Sequence, residues 1–403
     1  MDLPPPAPVE RLQHLMHRSL LVDSMKAVAA MLIVLHHLVF YGPMADYLRP
    51  IVPGLWRWLA DDARMAVQVF LVVAGYFAAR SPAPGGRLGS APLRPILWKR
   101  FLRLALPYHV ILVVAIVGNE LARSLMTHES ISAPASTAQL LAHAFLLHDL
   151  LGYEALSAGL WYVAMDMQLF LLMAGLLWLG RQADDAFARS HGHWRINSSA
   201  FLVALLGLAS VAHFNRDYAW DAWVVYFFGA YSLGALAWWT FNHGWSRAWF
   251  WLTAAGVAAT LLTDFRQGLL LGLVVAILLG LAPRWRQRRP EPAAAADAPA
   301  PHAVALSAAT HWLGRISYSL FLVHFPVCLV VNAVFTRFMP ATVAWQTLGL
   351  GAAIAASVGG AATFHRLVEA PVMQRLDRRR VASRAAASGT MAVPASPDAG
   401  SRR

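Results

Sequence analysis

The sequence predicts an all-α membrane protein of about ten transmembrane helices, with both termini on the cytoplasmic side. Of its 403 residues, 58% are hydrophobic and only 13% are charged, whereas soluble globular proteins carry about 25% charged residues. Apolar stretches close to the ~20-residue spanning length recur along almost the whole chain. Basic residues collect in particular connecting loops, which is the pattern of a multi-pass protein with a fixed orientation.

The apolar stretches give the order of the predicted helices along the chain. The second, third and fifth stretches are shorter than ~20 residues, so the count is given as about ten. The predicted spans are 20–41, 65–79, 104–118, 160–179, 200–214, 222–240, 248–264, 266–283, 312–336 and 343–365.

The connecting segments predict the orientation of these spans. Segment 80–103 carries six Lys and Arg residues, whereas segment 119–159 carries only Arg123. RWRQRR at 284–289 is again basic. Since Lys and Arg are retained in cytoplasmic loops, the segments at 80–103 and 284–289 are predicted to be cytoplasmic, as are both termini.

Four segments describe the predicted domain organisation. Residues 1–19 form a cytoplasmic lead-in, and residues 20–375 form the membrane domain. A Pro- and Ala-rich linker at 284–305 interrupts that domain. The tail at 376–403 is rich in Arg, Ala and Ser, which is typical of disorder. Segment 119–159, which is predicted to face outward, contains the apolar stretch QLLAHAFLLHDLLGY. We expect this stretch to be an interfacial helix or a lid rather than another span.

Charge and cysteine content exclude several classes of function. The net charge of +12 follows the orientation pattern and suits attraction to anionic lipid. No aromatic residues alternate with the basic clusters, so nucleic-acid binding is not expected. The single cysteine, Cys328, excludes an internal disulfide and a cysteine-based zinc site, and no other spacing indicates a metal.

Ionisable residues within the first predicted span indicate a functional site. Lys26 and His37 are eleven residues apart, about three helical turns, and therefore share a face about 16 Å apart along the axis. Asp23 lies one turn before Lys26. A cation at the cytoplasmic end with an imidazole far inside suits a long ligand with a negatively charged head. In the alternative interpretation, Lys26 extends to the headgroups and His37 caps the helix, although ionisable groups inside spans usually mark function.

Six blocks of sequence, in order, resemble the motifs of the integral-membrane acyltransferase 3 family, the bacterial O-acyltransferases of polysaccharides, lipopolysaccharide and antibiotics. Three positions differ from the usual family residue: Lys26 replaces arginine, Ala74 replaces serine and Asp166 replaces glutamate. The blocks are DSMKAVAAMLIVLHH at 23–37, VFLVVAGYF at 69–77, KRFLRLALPY at 99–108, LWYVAMDMQLF at 160–170, LGRISYSLFLVHFPV at 313–327 and VEAP at 368–371.

This resemblance implies an enzyme of the bacterial inner membrane. It would move a short acyl group, with acetyl expected, from cytosolic acyl-CoA to a hydroxyl of a cell-envelope or exported glycan or of a glycosylated small molecule. Membrane lipid, acyl-CoA and the acceptor are its expected partners, and acyl-CoA is a co-substrate rather than a bound cofactor. The alternatives are a transporter or flippase with a polar pathway, and a catalytically degenerate member of the family.

The resemblance also implies roles for individual residues. His37 is the predicted general base, and Asp166 is predicted to orient its imidazole, or else to make a polar helix contact. Lys26, Arg100 and Arg103 are predicted to hold the phosphates of coenzyme A. Arg100 and Arg103 are expected at the cytosolic entrance of the third span, where the alternative is plain positive-inside anchoring. Further residues predicted to line the substrate path are Asp23, Trp161, Gln168, Tyr318, His324 and Glu369.

Plain structural roles compete with several of these predictions. Tyr318 can serve as a helix contact, His324 can relieve a backbone kinked at Pro326, and Glu369 can pair with an arginine at the cytoplasmic end. The outer histidines His128, His143 and His148 could contact an acceptor, but they lack metal-ligand spacing, and we expect them to be solvated polar residues.

Overall fold

The computed structural model describes residues 8–191, 197–243, 247–287 and 301–378. Within these ranges the chain forms helices and no strands, which confirms the predicted all-α fold class. Each of the ten predicted spans is helical. The ten long helices are α1 (Pro8–Tyr41), α2 (Val67–Arg80), α3 (Leu93–Leu125), α4 (Leu160–His191), α5 (Ser198–Ala212), α6 (Val224–His243), α7 (Arg247–Thr263), α8 (Gln267–Gln287), α9 (Pro301–Phe338) and α10 (Val343–Phe364).

The lengths of the helices fit a polytopic membrane protein. In the described part of the chain, eight helices are long and apolar enough to cross a membrane. The other two predicted spans form α7, with 17 residues, and α8, whose apolar part Gln267–Ala282 is shorter. Beyond α10 the chain continues through one π-helical turn, His365–Glu369, into further helix as far as residue 378.

The start of α3, the loop at 81–92 and the described C-terminal part of the chain lie at one end of the bundle, which is rich in basic residues. Lys99 near the start of α3 forms an ion pair with Asp377, at 2.6 Å, beyond the last span. Arg87 of the 81–92 loop pairs with Asp184 near the end of α4 at 3.3 Å. We call this the basic end, and the other the opposite end. The orientation of the basic end toward the cytoplasm stays a prediction, and segments 1–7, 288–300 and 379–403 lie outside the described residues.

Helix α9 packs on α1, α3 and α10. Elsewhere in the bundle, small residues bring backbones together, as is common where helices associate in membranes. A Cβ atom at Gly75 of α2 or at Gly234 of α6 would collide with the backbone carbonyl of Tyr231 or Val72, respectively. These two helices therefore touch backbone to backbone, and any larger residue at either glycine would separate them.

Residues 126–159, which we call the excursion, connect α3 and α4 at the opposite end. They contain a short helix, Thr137–Ala144, which Ser136 caps by accepting a hydrogen bond from the Gln139 amide at 3.1 Å. An eight-residue helix is too short to span a bilayer, in agreement with the expectation that this stretch is not another span. The outward surface of the excursion is apolar, with exposed side chains at Leu141, Phe145, Leu147 and Leu151.

The excursion also corrects the prediction of solvated outer histidines. His143 and His148 are both fully buried, at 0% exposure, and their rings stack with centroids 4.0 Å apart. Only His128 is partly exposed, where its Nδ1 atom lies 2.8 Å from the hydroxyl of Ser130. The prediction failed because the excursion packs its histidines against the bundle and exposes its apolar side chains, whereas a solvated loop would expose its polar ones.

Candidate active site

Polar groups contact α9 at successive depths, starting at the basic end. Asp23 contacts His311, Glu369 contacts Ser319, and His37 contacts His324. At 1.5 Å per residue, His311 and His324 are about 20 Å apart along the helix axis. The bundle therefore contains a column of ionisable side chains that runs from its basic end to a pair of imidazoles in the interior.

The first group in this column surrounds the carboxylate of Asp23. Lys26 Nζ lies 3.1 Å from one carboxylate oxygen, and His311 Nδ1 lies 2.7 Å from the other. The Asp23 side chain is 10% exposed, whereas that of Lys26 is 25% exposed. The carboxylate thus holds a partly accessible ammonium group at the basic end of α1.

The second group is a buried ion pair between Arg100 of α3 and Asp166 of α4. One guanidinium nitrogen, Nη2, donates to both carboxylate oxygens of Asp166, at 2.6 and 2.8 Å. The guanidinium carbon also lies 4.7 Å from the centre of the Phe170 ring. Both side chains are largely removed from solvent, where an unpaired charge would be strongly destabilising.

This ion pair corrects two predictions. Asp166 does not orient the imidazole of His37, because its carboxylate is bound by Arg100. Nor is Arg100 a free cation at the entrance: α3 begins at Leu93, well before the predicted start at residue 104, and Arg100 therefore lies within the helix bundle. Coenzyme A phosphates could reach this guanidinium only in competition with the carboxylate.

The third group surrounds Glu369 in the π-helical turn. The Ser319 hydroxyl donates to Glu369 Oε2 at 2.5 Å, and His365 Nδ1 lies 2.9 Å from the same oxygen. These contacts replace the expected pairing with an arginine, although Arg103 lies within electrostatic range. Arg103 itself is exposed. π-helical turns occur frequently at functional sites, and this one directs Glu369 toward α9.

The innermost group is the pair of imidazoles. His37 Nδ1 and His324 Nε2 are 2.7 Å apart, and the two rings are almost parallel, with an interplanar angle of 6°. His324 is fully buried, whereas His37 is partly accessible. His37 therefore faces α9 in the protein interior rather than lipid.

Hydrogen bonding fixes the tautomers of this pair. The Leu320 carbonyl can only accept a hydrogen bond, and it lies 3.0 Å from His324 Nδ1, so that nitrogen carries a proton. In a neutral ring His324 Nε2 is then an acceptor, and the proton between the rings belongs to His37 Nδ1. The Nε2 atom of His37 is thereby left with a free lone pair.

The contacts of His324 differ from those that the sequence predicted. A proline at 326 leaves the carbonyl four residues earlier, at Leu322, without its helical donor, whereas His324 bonds to Leu320. The side chain therefore does not relieve the proline kink. It contacts His37 instead, a pairing that sequence reasoning missed although both deep histidines were visible.

A small cavity adjoins His37 on the side toward the opposite end. Its volume is about 10 Å³, and it is lined by His37, Tyr41, Phe325, Cys328, Leu329 and Asn332. This is room for about one water molecule. An acyl-CoA thioester is far larger than this cavity.

The remaining predicted residues contact other parts of the bundle. The Trp161 ring packs on Phe227, with centroids 5.5 Å apart. Gln168 Nε2 donates to the Leu146 carbonyl of the excursion at 2.9 Å, and the Tyr318 hydroxyl donates to the Leu104 carbonyl at 3.3 Å. In the described ranges no group of three or more His, Cys, Asp or Glu residues could hold a metal ion.

A family model described as an acyltransferase domain, Acyl_transf_3, matches residues 20–362. The chain belongs to the acyltransferase 3 family. The match includes five of the six sequence blocks and ends before VEAP at 368–371. Neither the curated proteins nor the solved structures gave a match. This member of the acyltransferase 3 family is a multi-pass membrane O-acyltransferase, which sets aside the transporter alternative.

Proposed function

We propose that this acyltransferase moves a short acyl group, acetyl in the first instance, from acyl-CoA to a hydroxyl of a cell-envelope or exported glycan, or of a glycosylated small molecule. We place it in the bacterial inner membrane, with its basic end in the cytoplasm. The observation that supports the proposal is the His37–His324 pair at the inner end of a column of ionisable side chains.

The donor enters from the basic end in this proposal. Lys26 is partly accessible, and Arg103 is exposed, so these two cations are suited to bind the phosphates of coenzyme A. The Lys26–His37 separation of about 16 Å along α1 is of the same order as the extended pantetheine arm. Arg100 contributes by holding Asp166 and becomes a phosphate contact only if that pair opens.

His37 acts as the general base in the chemical step. Its free Nε2 atom takes the proton of the acceptor hydroxyl while the oxygen attacks the thioester carbonyl. The new ester bond forms as the carbon–sulfur bond breaks, and the departing thiolate takes the proton from the imidazolium. His324 Nε2 accepts the Nδ1–H of His37 throughout, which holds the ring in place and stabilises its charged form.

The position of the cavity supports entry of the acceptor from the opposite end. It adjoins His37 on the side away from Lys26 and Arg103, and its lining residues continue along α1 and α9 toward the opposite end. Donor and acceptor would then reach one imidazole from two sides of the membrane.

Mass spectrometry of envelope glycans tests this proposal. Cells without the gene, cells with the wild-type protein and cells with His37→Gln are compared for acetyl esters. His36→Gln is the matched control, because the neighbouring His36 is buried and its Nδ1 lies 2.9 Å from the Leu59 carbonyl. We expect wild type and His36→Gln to restore the esters and His37→Gln to leave them absent. Identical glycans in wild-type and gene-deleted cells would refute the assigned substrates.

A further inference from the structure

The excursion folds back onto α3 and α4 and covers polar side chains there. His109 Nε2 lies 3.0 Å from the Ala144 carbonyl, and Gln168 Nε2 donates to the Leu146 carbonyl. Asn119 Nδ2 donates to the Leu156 carbonyl at 3.1 Å. Bonds from two helices therefore fix the excursion against the bundle.

Several buried polar atoms beneath this segment form no hydrogen bond within the described part of the chain. Buried polar groups in proteins are hydrogen-bonded in about 90% of cases or more, so a concentration of exceptions around one loop needs an explanation. His148 and Tyr108 are 0% exposed, and Ser157 is 1% exposed. The atoms concerned are both ring nitrogens of His148, the hydroxyls of Tyr108 and Ser157, Gln168 Oε1 and Asp149 Oδ2.

These atoms are suited to form hydrogen bonds with neutral hydroxyl groups of a ligand. Burial and the neighbouring His143 lower the pKa of His148 to about 3, so its ring is uncharged at neutral pH and offers one donor and one acceptor. His148 Nε2 and Asp149 Oδ2 are 3.5 Å apart. Hydroxyls both donate and accept, and can therefore satisfy an imidazole, a phenol, a serine and an amide oxygen together.

The backbone of the same segment is strained. Leu146 has a φ of +60° and is the one non-glycine residue with positive φ in the described ranges. Bulky residues rarely adopt this conformation, and where they do, it is frequently at a ligand-binding or catalytic site. The unusual φ directs the Leu146 carbonyl to Gln168, next to the unsatisfied Oε1 atom of the same amide.

The excursion also contacts α9 near the His37–His324 pair. A Cβ atom on Gly159 would collide with the Phe321 carbonyl of α9, three residues before His324. On the other side, Glu154 lies within electrostatic range of Tyr41, which lines the cavity beside His37. The last part of the excursion, residues 154–159, therefore lies close to the helix segments that carry the two imidazoles.

From these observations we infer that residues 145–157, together with Tyr108 and Gln168, form the acceptor subsite and bind a neutral sugar residue. The inference rests on the proposed function and specifies which part of the acceptor is recognised. Asp149 and Glu154 of the excursion would repel an anionic sugar. The segment lies closed over the subsite, and it must lift, with its apolar outer surface, to admit the sugar.

Two substitutions separate this role from a structural one. His148→Phe keeps a ring that can stack on His143 but removes both nitrogens, and Tyr108→Phe removes one hydroxyl. Since neither group has a hydrogen-bond partner in the described chain, a purely structural role predicts equal or higher thermal stability and unchanged activity. Tyr76→Phe, at a buried tyrosine of α2, is the matched control.

Acetyl-CoA binding by the purified protein and O-acetylation of envelope glycans in cells are measured for each variant. We expect His148→Phe and Tyr108→Phe to retain the melting temperature and acetyl-CoA affinity of wild type. Their glycan acetylation should fall by roughly tenfold or more, the scale of one or two hydrogen bonds to substrate, while Tyr76→Phe should not change it. Wild-type acetylation in both excursion variants would overturn the inference alone, whereas absent acetylation in wild type would overturn the proposed function. If His148→Phe does not fold, Tyr108→Phe decides.

Discussion

Replacing His324 by leucine tests whether the two imidazoles act as one unit. The substitution removes the Nε2 acceptor that lies 2.7 Å from His37 Nδ1 while keeping an apolar side chain in a fully buried position. His37 then loses both the bond that fixes its tautomer and the partner of its protonated form. The transfer step should slow, whereas binding of acetyl-CoA, which the proposal assigns to cations nearer the basic end, should not change.

The size of this effect follows from the charge that His37 gains if it acts as the proposed general base. A hydrogen bond to a charged group contributes about 1.5–3 kcal/mol, which corresponds to a rate loss of roughly ten- to hundredfold. His324→Gln retains a carbonyl oxygen that can accept from His37 Nδ1, so part of the rate should return. Acetyl transfer by the purified protein and its acetyl-CoA affinity are the measurements. A folded His324→Leu protein with a wild-type transfer rate would refute the role of the pair.

Three further predictions concern the column and the excursion. Asp166→Asn leaves the Arg100 guanidinium buried without its carboxylate, and should lower the free energy of unfolding by about 3–5 kcal/mol; a melting temperature equal to wild type would contradict the buried pair. Lys26→Arg supplies a planar fork for phosphate and should bind acetyl-CoA at least as tightly as wild type, whereas Lys26→Gln should bind it more weakly; equal affinities in all three proteins would exclude Lys26 from the donor site. Burial lowers the pKa of His148 to about 3, below the value near 6.5 of an unfolded histidine. The contribution of His148 to the free energy of unfolding should therefore fall as the pH drops below 6.5, by up to about 1.4 kcal/mol per pH unit. Asp149, whose pKa is raised to about 6 by burial and by Asp221, acts in the opposite direction in both proteins, so thermal unfolding of wild type against His148→Phe isolates the histidine; the same pH dependence in both would contradict its burial.

The sequence predicted the helices well because spanning length and hydrophobicity are local properties. All ten apolar stretches form helices, and the shared face of Lys26 and His37 follows from helical periodicity alone. His37 contacts His324 of α9, and Lys26 pairs with Asp23, which in turn contacts His311 of α9.

Pairings between helices could not be predicted in the same way, because they depend on where each helix begins and how it is rotated. The apolar stretch starts at residue 104, which predicts Arg100 at the cytosolic entrance of the third span. Helix α3 already begins at Leu93, however. That extension brings Arg100 to Asp166. The contact between His324 and His37 cannot be predicted from the sequence, because periodicity within α9 says nothing about which residue of α1 faces it.

The buried histidines of the excursion were missed for a related reason. His143 and His148 alternate with Leu141, Phe145, Leu147 and Leu151, and composition alone does not show which set faces lipid. The bonds from His109 and Gln168 to the excursion carbonyls decide this, and both come from other helices.

Single-turnover transfer by the purified protein tests the central claim most directly. Wild type and His37→Gln are each loaded with radiolabelled acetyl-CoA, its affinity is measured, and envelope glycan extract is added. The account predicts equal affinity for acetyl-CoA and labelled glycan from wild type only. Labelled glycan formed at the same rate by His37→Gln would contradict it.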